Sequence, residues 1–257
     1  MVFPMNSDQT IYFFRRVYPP HTRAMKYALV ILAVLLVGCS SPTSPTPQPV
    51  VVMTPPVVVA PPVTPAPAAN PLLSDPRFDR NFYRLFALGT LEYSMQPLRR
   101  QTQAPRVYLR TIDDNGVTID AVSLDQTAAA IINTAGKLTG VFGLAGLEQG
   151  TNTRQGRTGW ITVRWSAEPS PYCGFGVFGG NTITLYPKTL GCRCAGGPVV
   201  RLRTVKHELG HVLGFYHTDS PDDLMSTNSP RCDQEPSERE IYHARIAYQM
   251  PLGSLDP

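Results

Sequence analysis

Three of the chain's five histidines fall in the run His207-Glu208-Leu209-Gly210-His211-Val212-Leu213-Gly214-Phe215-Tyr216-His217. Residues four apart on an α-helix differ by only about 40° in direction. His207 and His211 therefore project from one face, one turn apart, and can share a metal ion. Glu208 stands beside that face, where it can reach a water without itself ligating. Gly214 ends the helix, because glycine tolerates the left-handed backbone that a sharp turn needs. The turn lets His217 return toward the metal as a third ligand. Three imidazoles leave the fourth position of a tetrahedral zinc open, which distinguishes a catalytic site from a closed structural one. The chemistry predicted is hydrolysis by an activated water, with Glu208 as general base. Coincidental histidines on a solvated helix are the plain alternative, but that reading leaves the spacing of Glu208 and Gly214 without a cause.

The pattern H-E-x-x-H-x-x-G-x-x-H, from His207 to His217, resembles that of the metzincin zinc endopeptidases. Asp223-Leu224-Met225-Ser226, just downstream, is similar to the Met-turn of that superfamily, with Met225 as its structural methionine. The resemblance spans about Val107–Tyr248, with its specific residues inside His207–Met225. It implies an α+β, zincin-like fold: a twisted mixed sheet, an active-site helix, the Met-turn and a C-terminal helix. It also implies one catalytic zinc ion and a peptide or protein substrate, with Asn181–Tyr186 as the strand at the cleft edge, open to strand addition by that substrate. A second zinc held by further histidines is not implied, since only His21 and His243 remain. Thr227 stands where two branches of the superfamily carry a tyrosine, so the branch stays open. A zinc-containing surface protein that binds without cutting is the alternative function.

The elements that must position these residues are legible in outline. Asp75–Tyr93 has the helical spacing, with Phe78, Phe82, Leu85 and Phe86 on one face, broken by Pro97 and Pro105. Val107–Thr111 alternates as a strand, Asp113-Asp114-Asn115-Gly116 makes a tight turn and Val117–Asp120 is a possible return strand. The acidic turn has too few ligands for calcium. Ser123 with Gln126 forms a capping box for a helix running to about Thr134 and ending near Gly136. Gly159–Ser166 and Asn181–Tyr186 are strands. A helix is predicted from about Val199 to Leu213, and a last one from Ser237, capped with Glu240, to Tyr248. Strands first and two late helices suggest an α+β domain. His243, on the last helix, is expected to pack rather than ligate.

Four cysteines, Cys173, Cys192, Cys194 and Cys232, lie in the second half and suggest two disulfides in an exported chain. Cys192 and Cys194 are too close to pair with each other, which leaves two connectivities open. A four-thiolate zinc site is disfavoured by the lack of paired C-x-x-C knuckles. Cys39 stands apart, after the ten apolar residues Ala28–Val37 and the basic Arg23 and Lys26. That run has signal-peptide length and is shorter than the roughly 20 residues of a bilayer span. Leu36-Val37-Gly38-Cys39 resembles a bacterial lipobox, implying lipidation of Cys39 and anchoring to the cell envelope without a spanning helix. Met1 and Met25 are both candidate starts.

The expected organisation is therefore an export segment over 1–39, a proline-rich linker over 40–74 and a catalytic domain over 75–257, with 75–105 an N-terminal helical extension. Eleven prolines and no charged residue fall within Ser40–Pro71. Such a stretch favours extended polyproline II over a packed core and would reach up to about 90 Å. The net charge is +4, but without the segment before Cys39 the balance is 19 basic against 18 acidic residues. A near-neutral mature chain offers no electrostatic case for nucleic acid, and a monomer is expected.

Overall fold

The computed structural model describes residues 70–152 and 157–257. Cys39, the apolar run before it and the proline-rich stretch up to residue 69 lie outside the described residues.

Five strands form one mixed sheet in the order β2-β1-β3-β5-β4: β1 (Arg106–Asp113), β2 (Gly146–Gly150), β3 (Trp160–Trp165), β4 (Gly174–Gly176) and β5 (Thr182–Leu185). β1 is parallel to both β2 and β3, β3 is parallel to β5, and β4 closes the edge antiparallel to β5. The alternation of apolar residues sets the register. Val107 pairs with Ile161, Leu109 with Val163, Val163 with Ile183 and Trp165 with Leu185, all buried. A register shift in β1 after Leu109 frees the Arg110 carbonyl, which accepts the Trp165 indole N–H at 2.7 Å. A buried indole is thereby satisfied by an irregularity in its neighbour.

Four helices cover this frame: α1 (Arg80–Leu88), α2 (Ala121–Thr139), α3 (Leu202–Leu213) and α4 (Glu238–Gln249). α2 packs on α3, α3 lies against β4 and β5, and α4 packs on α1 and α2. The core runs from Phe82 and Phe86 through Ile131, Leu138 and Trp165 to Leu209, Leu213, Phe215 and Met225. Phe86 stacks on Phe215 with ring centroids 4.3 Å apart, joining α1 to the segment that follows α3. Among the described residues, no helix is long and apolar enough to cross a membrane.

Several boundaries differ from the sequence expectation, each for a local reason. α1 is shorter than Asp75–Tyr93: Asp79 caps it by accepting the Asn81 and Phe82 N–H groups, and Gly89, at φ 69°, ends it. α2 starts earlier because Asp120 accepts both the Ser123 amide and its hydroxyl at 2.8 Å. Ser123 is thus inside the helix, and its oxygen accepts the Val199 amide instead of capping. α2 also runs through Gly136 to Gly140, since helical hydrogen bonding and tertiary packing outweigh one glycine. Val117–Asp120 contributes a single bridge, Ile112 to Thr118, rather than a strand. β2 and β4 carry the glycines that hid them, and both form only because a sheet edge is there to pair with. β5 lies inside the sheet and β4 forms its edge, so the cleft-edge role expected of Asn181–Tyr186 falls to Gly174–Gly176. Strands and helices are also less segregated than an α+β order implies, with α2 between β1 and β2. The capping box at Ser237 and Glu240 is present as predicted.

His243 packs in α4 against Phe82, with ring centroids 4.8 Å apart. Its Nδ1–H donates to the Arg239 carbonyl at 2.7 Å and its Nε2 accepts the Asp79 amide at 2.9 Å, tying α4 to the start of α1.

Candidate metal centre

α3 is the element that carries the site. Its apolar positions Val205, Leu209, Val212 and Leu213 are fully buried, which orients the helix and leaves His207, Glu208 and His211 facing a cleft. Gly214, at φ 108°, ends the helix, and its amide bonds back to the Gly210 and His211 carbonyls. A Cβ at Gly214 would lie 1.8 Å from the Arg99 carbonyl oxygen, so both conformation and space exclude a side chain there. The chain then turns, and His217 comes to within 3.1 Å of His211, Nε2 to Nε2.

The second ring nitrogen of each histidine is fixed. His207 Nδ1–H donates to the Leu224 carbonyl at 2.9 Å, and His211 Nδ1–H to the Phe215 carbonyl at 2.8 Å. His217 Nδ1 donates to the Glu92 carboxylate. With the protons held at Nδ1, each Nε2 presents a lone pair. One ring nitrogen from each histidine lies within 4.8 Å of the others. Ligand nitrogens on a tetrahedral zinc at 2.0–2.1 Å stand about 3.3 Å apart, close to the His211–His217 separation. A cation is what three converging lone pairs require, and the donor set fits zinc. Burial, with His217 as the next cause, pushes the His211 imidazole down to about 3, and burial with His211 holds His207 well below the ordinary histidine range. Both rings are thus neutral and able to ligate.

Glu208 is buried against β4. Desolvation raises its carboxyl to about 8, and the Gly176 amide and the nearby Arg203 charge oppose that rise. A dicationic metal beside it would favour the ionised form. β4 can approach this closely because it is glycine-rich. A Cβ at Gly174 would fall 2.6 Å from Glu208 Cγ, and one at Gly176 would fall 2.4 Å from the Glu208 carbonyl oxygen.

Met225 is fully buried below α3, its sulfur directly under Gly210, where a Cβ would come within 2.3 Å of it. Its turn is held from both sides. Arg203 donates to the Leu224 carbonyl at 3.1 Å and to that of Ser226, while the Glu240 carboxylate accepts the Leu224 and Met225 amides at 2.9 and 2.8 Å. That turn also carries the Leu224 carbonyl that orients His207, so the turn supports this candidate ligand through the main chain. The four cysteines form Cys173–Cys192 and Cys194–Cys232. The first ties the end of the β4 segment to the loop before α3, and the second ties that loop to the segment after the Met225 turn.

The cleft, about 660 Å³, is lined on one side by Tyr172, Gly174 and Phe175 and on the other by His217, Ser226 and Thr227. Phe178 closes the His211 side, edge-on to that ring and stacked on Tyr216, both at 4.5 Å. Glu92, Arg203 and the β4 glycines were not singled out as site residues from sequence. Glu92 lies 125 positions from its histidine and carries no local signal, and the run Cys173-Gly174-Phe175-Gly176 had only its cysteine as a marker.

No protein-family profile and no curated protein matches the chain. Among solved structures it is similar to archaemetzincin from Methanopyrus kandleri, over 59% of this chain and 98% of that one. The identity is 14% and the TM-score 0.43. A likeness of that size does not bear on the chemistry, which the side chains themselves carry.

Proposed function

We propose that the chain is a zinc-dependent endopeptidase, with His207, His211 and His217 holding one zinc ion and Glu208 as general base. The observation that supports it is the convergence of three Nε2 lone pairs whose Nδ1 protons are each committed elsewhere. Zinc held there supplies a Lewis acid for a scissile carbonyl and acidity to a water. Glu208, one residue along α3 from the first ligand, takes the proton from that water and hands it to the leaving amine. No side chain need form a covalent bond to substrate. Lipidation of Cys39, display at the cell envelope and a monomeric state belong to the same reading, and the mass of the mature N-terminal peptide tests the first of these.

Glu208→Ala tests the catalytic assignment. The variant is expected to bind one zinc per chain and to lose peptide cleavage by at least about a hundredfold. Cleavage equal to the unaltered chain would overturn the role of Glu208, and loss of zinc would place it among the ligands.

A further inference from the structure

Two arginines stand at the end of the cleft where α3 begins, and neither has a carboxylate partner among the described residues. Arg203 is 8% exposed. Its Nε donates to Gln234 at 3.0 Å and its Nη2 to the Leu224 and Ser226 carbonyls. Nη1 has no hydrogen-bond acceptor among the described residues, and Arg203 is one of the residues that line the cleft. Arg201 is half-buried beside it, and its Nε is sealed without a partner. Burial lowers the pKa of the Arg203 guanidinium, the Glu240 and Glu208 carboxylates oppose that fall, and the Arg201 and Arg231 charges add to it. α3 begins here without a side-chain cap or an acidic residue in its first turn, so its amide dipoles add to the positive field. Two guanidiniums and the helix amides at one end of a substrate cleft, only partly offset by Glu240 and Glu208, favour an anion there.

Its place along the substrate follows from the strand beside it. β4 runs in the same direction as α3, with Gly174 beside Thr204 and Glu208, and Gly176 beside Glu208 and His211. β4 is the sheet edge and Phe175 is 54% exposed. A substrate added antiparallel to that edge, the more stable pairing, runs against α3. Residues after the scissile bond then lie toward Gly174, Thr204 and the arginines. Arg203 precedes His207 by four residues, or about 6 Å of helix rise. That distance suits the side chain of the residue next to the cut.

Resting on the peptidase reading above, we propose that Arg201 and Arg203 form a carboxylate-binding subsite, so that the preferred substrate carries an acidic group immediately after the scissile bond. The group is an aspartate or glutamate side chain.

The test has a binding arm and a cleavage arm, both on the full chain loaded with zinc. In the first, Glu208→Ala is titrated calorimetrically with two peptides that differ only by Glu or Gln at one position. The Glu peptide is expected to bind at least about tenfold more tightly, and Arg201→Glu, added to that variant, should abolish the difference. The Arg201 side chain makes no hydrogen bond among the described residues, so this change removes none, and melting temperature and zinc content serve as controls. In the second arm, a proteome-derived peptide pool is digested and the cut sites are read by mass spectrometry. Enrichment of Asp and Glu after internal cuts supports the subsite, and removal of only the last residue overturns it. Peptides cut without acidic preference, or with that preference before the cut, overturn the subsite and leave the peptidase standing. Acid-selective binding with no cleavage of any peptide overturns the peptidase and leaves the subsite standing.

Discussion

Glu92 offers the sharpest test of how this site is held together. Of the three ring N–H groups behind the candidate ligands, two donate to main-chain carbonyls, which no substitution can delete. The third donates to a side chain, Glu92, brought from the segment after α1. Removing such a partner typically costs 10–100-fold in metal affinity. Here the Glu92 and His217 side chains are 33% and 18% exposed. Water therefore screens the pair and can replace the lost acceptor, which places the effect near the lower end, about tenfold or 1.4 kcal/mol. Glu92→Gln keeps an oxygen for the Nδ1–H and should cost about threefold or less. Zinc competition against a chromophoric chelator reads both values directly, and the metal-free melting temperature should move little. Glu92→Ala binding zinc within about twofold of the unaltered chain would refute the idea that this carboxylate positions His217. A larger loss for Gln than for Ala would refute it equally.

Three further outcomes follow from the same geometry. Gly214→Ala should destabilise the domain by more than about 2 kcal/mol in urea unfolding, since the left-handed φ and the Arg99 carbonyl both oppose a Cβ; a shift under about 0.5 kcal/mol would count against the close approach. Reducing the disulfides, whose partners are 19 and 38 residues apart, should remove about 3 and about 4 kcal/mol respectively by chain entropy and lower the melting temperature; an unchanged melt would mean the cysteines are unpaired. Burial holds His207 well below the ordinary value of about 6.5 and His211 down to about 3, so the unfolded chain binds more protons below that ordinary value, for His211 as far down as about 3. The metal-free domain should therefore lose stability as pH falls through that window, and zinc release should steepen as protons compete for the same nitrogens; a melt independent of pH between 7 and 4 would contradict the burial of neutral rings.

The primary sequence alone was enough for the ligand spacing, because the facing of His207 and His211 depends only on helical geometry and the Gly214 turn only on glycine's freedom. It likewise announced β1, β3, β5 and α4, whose alternation and capping are local signals. What tertiary structure decided are the features that depend on a distant partner. β4 exists because β5 offers it an edge and α3 leaves no room for anything larger than glycine. The disulfide pairing was settled by where the loops around α3 come to lie. Ser123 lost its capping role to Asp120 because its own hydroxyl was needed by Val199 across the fold. Glu92, Arg203 and Glu240 acquire their work only once residues far apart in the chain meet around His217 and the Met225 turn, where burial turns an ordinary charged side chain into one that must have a partner.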